Sequence, residues 1–174
     1  MTEIDVTTAM NSDTPTLYLG FENVLHHSEA WLDTLGRVSL ESGGKPFAEA
    51  HHLIDALTPY PCLRIVLTTN WAWWVGDEKV IGLLPTALSQ RVTGTTREFP
   101  PRIDETENGC GDVGPVVRHA TAHRLKSWLA IGGNFRCVPT HLTSRFLRLS
   151  DTGLEASSNR EALRAGLQSN FKKM

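Results

Sequence analysis

No apolar stretch in this 174-residue chain approaches the roughly 20 residues needed to cross a bilayer. The first ten residues lack the basic-then-apolar order of a secretion signal. A cytoplasmic protein with no membrane partner is the expectation. Cysteine is scarce: Cys62, Cys110 and Cys137 are odd in number, far apart, and form no Cys-x-x-Cys pair. Reduced thiols are therefore expected, with Cys62 and Cys137 as small core residues beside or within strands. Long blocks of one charge are also missing. Seventeen lysines and arginines against nineteen acids leave a net charge of -2, which disfavours a nucleic-acid footprint. No repeat of 20 to 50 residues occurs, which excludes a solenoid. No nucleophile elbow surrounds Ser144 or Ser150.

What is present suits a globule. Apolar residues make up 40% and charged residues 21% of the chain, enough for one core without global disorder. Residues 1–14 read as a flexible arm, 15–174 as a single domain, and Lys172-Lys173-Met174 as a short solvated tail. Leu17 to Phe21 reads as the first strand. Ser28 is placed to cap a short helix carrying Trp31, Leu32 and Leu35. A second helix starts near Phe47, buries Ala50, Leu53, Ile54 and Leu57, and ends before Pro59 and Pro61. Leu63 to Thr69 is rich in branched residues and suits a central strand. Strand, helix, strand in that order indicates a parallel sheet.

In the second half, Ile81–Leu88 is weakly helical and Arg91–Gly94 reads as a short strand. Residues 95–117, punctuated by Pro100-Pro101, Asn108-Gly109 and Gly114-Pro115, read as a long loop. A helix is expected from Val117 to Ile131, stopped by Gly132-Gly133. Phe135–Val138 and Phe146–Leu149 read as strands, and Arg160–Leu167 as the closing helix. The sum is a three-layer α/β/α doubly wound fold with a mainly parallel five-stranded sheet and a minimal cap.

Four segments carry a family resemblance: Leu17-Tyr-Leu-Gly-Phe-Glu-Asn-Val-Leu-His26, Arg64-Ile-Val-Leu-Thr-Thr-Asn-Trp71, Lys126-Ser-Trp-Leu129 and Leu147-Arg-Leu-Ser-Asp-Thr-Gly-Leu154. Together they resemble the haloacid dehalogenase-like (HAD-like) hydrolases, in particular the small, nearly capless bacterial members. The resemblance implies a first strand ending in Asp-x-Asp, where the first Asp attacks phosphorus and the second is acid and base. It also implies Mg²⁺ held by these and by acids after the fourth strand. A hydroxyl ending the second strand and a basic residue near a later helix bind the phosphoryl group in that family.

Carried onto this chain, the nucleophile falls on Gly20, the acid/base on Glu22 and the following Gly on Asn23. Thr68 takes the phosphate-binding hydroxyl, with Thr69 beside it. Pro139, Thr140 and His141 fall where metal carboxylates are expected, and the basic position is shared among Arg118, Arg124 and Lys126.

Glycine has neither a nucleophilic oxygen nor a metal ligand, so this resemblance implies no covalent phosphoryl transfer. Glu22 does not replace it on an extended strand: residues i and i+2 lie roughly 7 Å apart. Covalent chemistry needs reacting atoms about 3 to 3.5 Å apart. The expectation is a catalytically inactive domain with a binding, regulatory or structural role, using no cofactor. Gly20, Phe21, Glu22, Asn23, Thr68, Thr69, Arg118 and Lys126 would retain a phosphate or nucleotide passively. The alternative is a weak Mg²⁺-dependent phosphohydrolase using Glu22 and acids such as Asp104 or Asp112.

Plainer roles stand beside each of these. Glu22 also suits a turn cap or an ion pair, Asn23 a left-handed turn, and Thr68 and Thr69 the backbone groups at a strand end. The basic residues suit a solvated helix face. His119 and His123 share a helical face, and His26-His27, His51-His52 and His141 supply other nitrogens. Without a His-Glu-x-x-His motif, metal-free surface pairs are expected. Trp71, Trp73 and Trp74 follow the second strand. One suits packing beneath the Pro100-Pro101 loop; an exposed pair suits protein contact or self-association.

Overall fold

The computed structural model describes residues 10–27 and 29–173. The cap expected at Ser28, the first nine residues of the expected arm and the terminal Met174 lie outside the described residues. Residues 10–14 form a turn, with Thr14 N–H donating to Asn11 O (2.9 Å) and Lys126 N–H to Ser12 O (3.0 Å).

The centre is β1 (Thr16–Leu19), buried along its whole length. It pairs in parallel with β4 (Arg64–Leu67) on one side and β6 (Trp128–Gly132) on the other. Adding β5 (Val92–Thr95) and β7 (Phe146–Arg148) completes a parallel five-stranded sheet in the order β5-β4-β1-β6-β7. Alternation along β1 explains the layers. Leu17 and Leu19 enter a large core with α1 (Ala50–Leu57), α2 (Trp71–Val75), α3 (Asp77–Gly82), α4 (Thr86–Ser89) and α7 (Ser157–Asn170). Tyr18 enters a smaller one with Val116 and Ala120 of α6 (Gly114–Ala122). The expected α/β sheet with helices on both faces is therefore present. Among the described residues, no helix is long and apolar enough to cross a membrane.

Several local expectations are corrected. The helix placed at Trp31–Leu35 is an antiparallel hairpin of β2 (Ala30–Leu32) and β3 (Val38–Leu40). Asp33 decides this: its Oδ1 accepts from the N–H groups of Leu35 (2.9 Å) and Arg37 (2.8 Å), and Gly36 takes a φ of 77°. The helix expected over Val117–Ile131 ends at Ala122; Arg124 adopts a φ of 51° and the chain re-enters the sheet as β6. A strand buried on both faces is uniformly apolar, so its sequence does not separate it from a buried helix.

Phe135–Val138 is no strand. Cys137, at a φ of 61°, forms a disulfide with Cys110, their Cα atoms 5.5 Å apart. Two of the three thiols are thus oxidised, and Cys62 is free and exposed rather than in the core. The segment 95–117 is not structureless either. It contains α5 (Ile103–Glu107) and the start of α6. Arg118 organises it by pairing with Glu105 and donating to Pro100 O (2.7 Å).

Candidate functional site

β1, β4 and β6 end in register, with Leu19 opposite both Leu67 and Ile131. Strand order reverses at β1, and ligand crevices of open α/β sheets form at such switch points. A cavity of about 480 Å³ opens there. Gly20 to Asn23 line it after β1, Thr68 to Asn70 and Trp73 after β4, Thr96 after β5, and Gly132 to Phe135 after β6. The 95–117 excursion forms the remaining wall, contributing Pro101, Thr106, Gly109, Gly111, Asp112 and Pro115.

Gly20 donates its N–H to Ile131 O at 3.2 Å. A β-carbon there would meet Ile131 O and Thr68 Oγ1, each at 3.6 Å, which is ordinary contact. The absence of a side chain is therefore not forced by sterics. Thr68 donates its N–H to Leu19 O (3.0 Å), holding β4 to β1. Thr69 Oγ1 accepts from Trp71 N–H (3.3 Å) at the start of α2, which is the plainer role weighed for it. Asn23 does adopt the left-handed turn, at a φ of 57°.

Glu22 lies at the crevice mouth in an isolated bridge with His26. Burial by the surrounding walls, then the charges of Glu29 and Asp112, push its carboxyl pKa above the ordinary value. Asp112 is likewise raised by burial, partly offset by a hydrogen bond from Asn134. Asp104, on α5, is exposed and outside the lining.

Of the eight expected ligand residues, six converge on the crevice and two do not. Arg118 is committed to Glu105 and Pro100, and its hydrogen bond holds the Glu105 carboxyl below its ordinary pKa. Lys126 precedes β6, at the opposite end of the strands from the crevice, and pairs with Asp13 at 2.7 Å. Arg124 lies beside it, outside the lining. Among the described residues no lysine, arginine or histidine lines the cavity.

The position of β6 moves the implied metal acids. The fourth strand of the sheet in chain order is β6, so the residues at its end are Gly132, Gly133 and Asn134, not Pro139, Thr140 and His141. Pro139 instead precedes a 3₁₀ turn at Thr140–Arg145, outside the cavity lining. A β-carbon on Gly133 would lie 2.6 Å from Asn23 Cβ, so that position is sterically a glycine. The Mg²⁺ implied by the resemblance does not fit these donors. Gly20, Gly132 and Gly133 offer no carboxylate, and an octahedral ion held by Glu22 and Asp112 alone is poorly coordinated. Sequence reasoning missed Asn70, Thr96 and Asn134, which lie three, one and two residues past the ends of β4, β5 and β6; correct placement of β6 would have exposed Asn134.

The tryptophans divide. Trp71 is buried against Phe21 (ring centroids 5.4 Å apart), Phe47 and His26. Trp73 and Trp74 are 45% and 78% exposed, and Trp73 lines the crevice. His119 is no surface histidine. It is buried, and its Nδ1 lies 2.8 Å from the Tyr18 hydroxyl.

Comparison with curated proteins and with solved structures gave no match. A family model described as "HAD domain in Swiss Army Knife RNA repair proteins" matches residues 16–158. That span runs from β1 through the last sheet strand into the start of α7. The parallel sheet, the crevice at its switch point and this match together mean that the chain belongs to that HAD family.

Proposed function

We propose that this HAD domain is catalytically silent and uses the crevice at the end of β1 for binding, in a regulatory or structural role. The observation that supports this best is Gly20, an unhindered position facing Thr68 Oγ1 with no attacking oxygen. Gly132 and Gly133 add no metal carboxylate across the cleft. Thr68, main-chain N–H groups and the neutral amides of Asn23, Asn70 and Asn134 remain to hold a small polar ligand.

Passive binding of phosphate or nucleotide is the first form of this reading. The family's association with RNA repair makes nucleotides the natural first probes. With no basic side chain among the described residues of the lining and two carboxylates in it, such binding is weak and depends on Thr68 and backbone donors. Exposed Trp73 and Trp74 extend the same rim and suit a protein partner or a second copy of the chain.

A weak Mg²⁺-dependent phosphohydrolase is the second reading. What favours it is Asp112, which stands in the lining together with Glu22. No reaction step is assigned to it, because the donors do not reproduce a complete ion site.

The test pairs calorimetry against phosphate and nucleotides, with and without Mg²⁺, with a broad phosphatase screen on tag-free protein. Saturable, Mg²⁺-independent binding without turnover is expected. A trapped phosphoenzyme, or hydrolysis abolished by Glu22→Gln, would overturn the silent reading.

A further inference from the structure

Away from the crevice, three segments meet behind the turn that follows β1. Glu49 N–H donates to Leu25 O (2.9 Å) and Leu154 N–H to Val24 O (3.3 Å). This backbone junction brings together His27, Glu49 at the start of α1, and Glu155 at the end of a 3₁₀ turn (Gly153–Glu155). One ligand atom from each of the three side chains lies within 4.8 Å of the others. His27 Nε2 is 3.0 Å from Glu155 Oε2, and His52 Nε2 is 3.5 Å from Glu49 Oε2.

An ordinary surface ion pair explains the first contact but not the convergence. Two carboxylates held close together repel each other, and the Glu49 side chain is only 13% exposed. His52 stands beside Glu49, in the place that partners of metal-bound carboxylates usually fill. Arg160 donates to the carbonyls of Leu154 and Glu155, which fixes the turn that carries Glu155.

Tetrahedral Zn²⁺ with bonds of about 2.0 to 2.2 Å separates its ligand atoms by roughly 3.3 to 3.5 Å. His27 Nε2 and Glu155 Oε2 lie 3.0 Å apart and all three ligand atoms within 4.8 Å of one another, spacings of the same order. We propose that His27, Glu49 and Glu155 bind one divalent first-row metal ion, Zn²⁺ by preference, with His52 orienting Glu49. The imidazole selects Zn²⁺ over Mg²⁺, which takes oxygen ligands and dehydrates reluctantly. The half-exposed His27 and Glu155 leave a solvent-facing position for water, with side-chain exposures of 46% and 59%. A bound ion would staple the β1 turn, the start of α1 and the C-terminal turn together. The site is independent of the crevice and of any reading of it.

The experiment uses the full, tag-free chain after chelator treatment, titrated with Zn²⁺ and separately with Mg²⁺ by calorimetry, with thermal melts at each end point. One equivalent of Zn²⁺ and a raised Tm are expected, with no comparable Mg²⁺ binding. His27→Ala and Glu155→Gln, both on exposed side chains, should each weaken Zn²⁺ binding by at least about tenfold. Both should also abolish the Tm increase, while His141→Ala behaves as wild type. Full Zn²⁺ affinity in the His27→Ala/Glu155→Gln double variant, with an unchanged circular dichroism spectrum, would overturn the site. Equal Mg²⁺ affinity would overturn its preference.

Discussion

The hydroxyl of Thr68 stands 3.6 Å from the point where a β-carbon would extend from Gly20. Gly20 has a φ outside the left-handed region, so it is not needed for backbone reasons. Gly20→Ala should therefore stabilise the fold by about 0.4 to 1 kcal/mol through the unfolded chain. Gly20→Asp should fold, with a cooperative melt, and remain without phosphatase activity because Gly132 and Gly133 supply no carboxylates. Turnover by Gly20→Asp alone would mean that Glu22 and Asp112 suffice to complete the machinery. Urea melts and a phosphatase screen on the two variants decide both points.

Gly133 and Asn23 form a steric lock on the crevice floor. A β-carbon at 133 would fall 2.6 Å from Asn23 Cβ, and Asn23 itself sits at a φ of 57°. Gly133→Ala should cost about 1 to 3 kcal/mol by overpacking. Asn23→Gly removes the obstructing side chain and suits the left-handed backbone. The double variant should recover most of the loss, giving a coupling energy of about 1 kcal/mol or more in a double-mutant cycle. Additive effects would mean that the turn after β1 yields to the new methyl group.

The sheet and its crevice were legible where the chemistry is local. Leu17–Leu19 and Ile65–Leu67 are apolar runs bounded by turn residues, and the six crevice residues after β1 and β4 follow directly from them. Trp128–Ile131 was misread because full burial on both faces erases the period-two pattern, and the metal-acid positions moved with it. The hairpin at Ala30–Leu40 depends on side-chain bonds of Asp33, which periodicity does not register. Arg118 and Lys126 could not be assigned to a crevice from sequence. Their partners Glu105 and Asp13 are set by tertiary packing.

Acid should unfold this domain through two buried histidines. His26 and His119 each have a pKa lowered to about 4, by burial first and then by the neighbouring His27 and His123 respectively. Unfolded histidine titrates near 6.5, so between about 6.5 and 4 the unfolded chain binds more protons. Stability is thus full above that window, falls as pH drops through it, and levels off below it. Each histidine accounts for a loss on the order of 3 kcal/mol. Neither ring nitrogen of His26 has a hydrogen-bond partner among the described residues, and Phe47 and Trp71 flank the ring. His26→Leu should therefore raise stability at pH 5 more than at pH 7.5. An unchanged pH slope in urea titrations of that variant would remove His26 from the account.

The Cys110–Cys137 disulfide joins two segments that both line the crevice. Gly109, Gly111 and Asp112 lie on one side of it in sequence and Gly132 to Phe135 on the other, all of them in the cavity lining. With the cysteines 27 positions apart, the cross-link should contribute about 3 to 4 kcal/mol by restricting the unfolded chain. Native protein should accept one equivalent of a thiol reagent, at exposed Cys62, and three after reduction and unfolding. Cys137→Ser should lower the urea midpoint and increase hydrogen exchange at residues 108–113 and 132–136, while β1 and β4 keep their protection. Three reactive thiols in the untreated native protein, or exchange at the crevice walls unaffected by Cys137→Ser, would show that packing of Arg118 on Glu105 holds the wall without the cross-link.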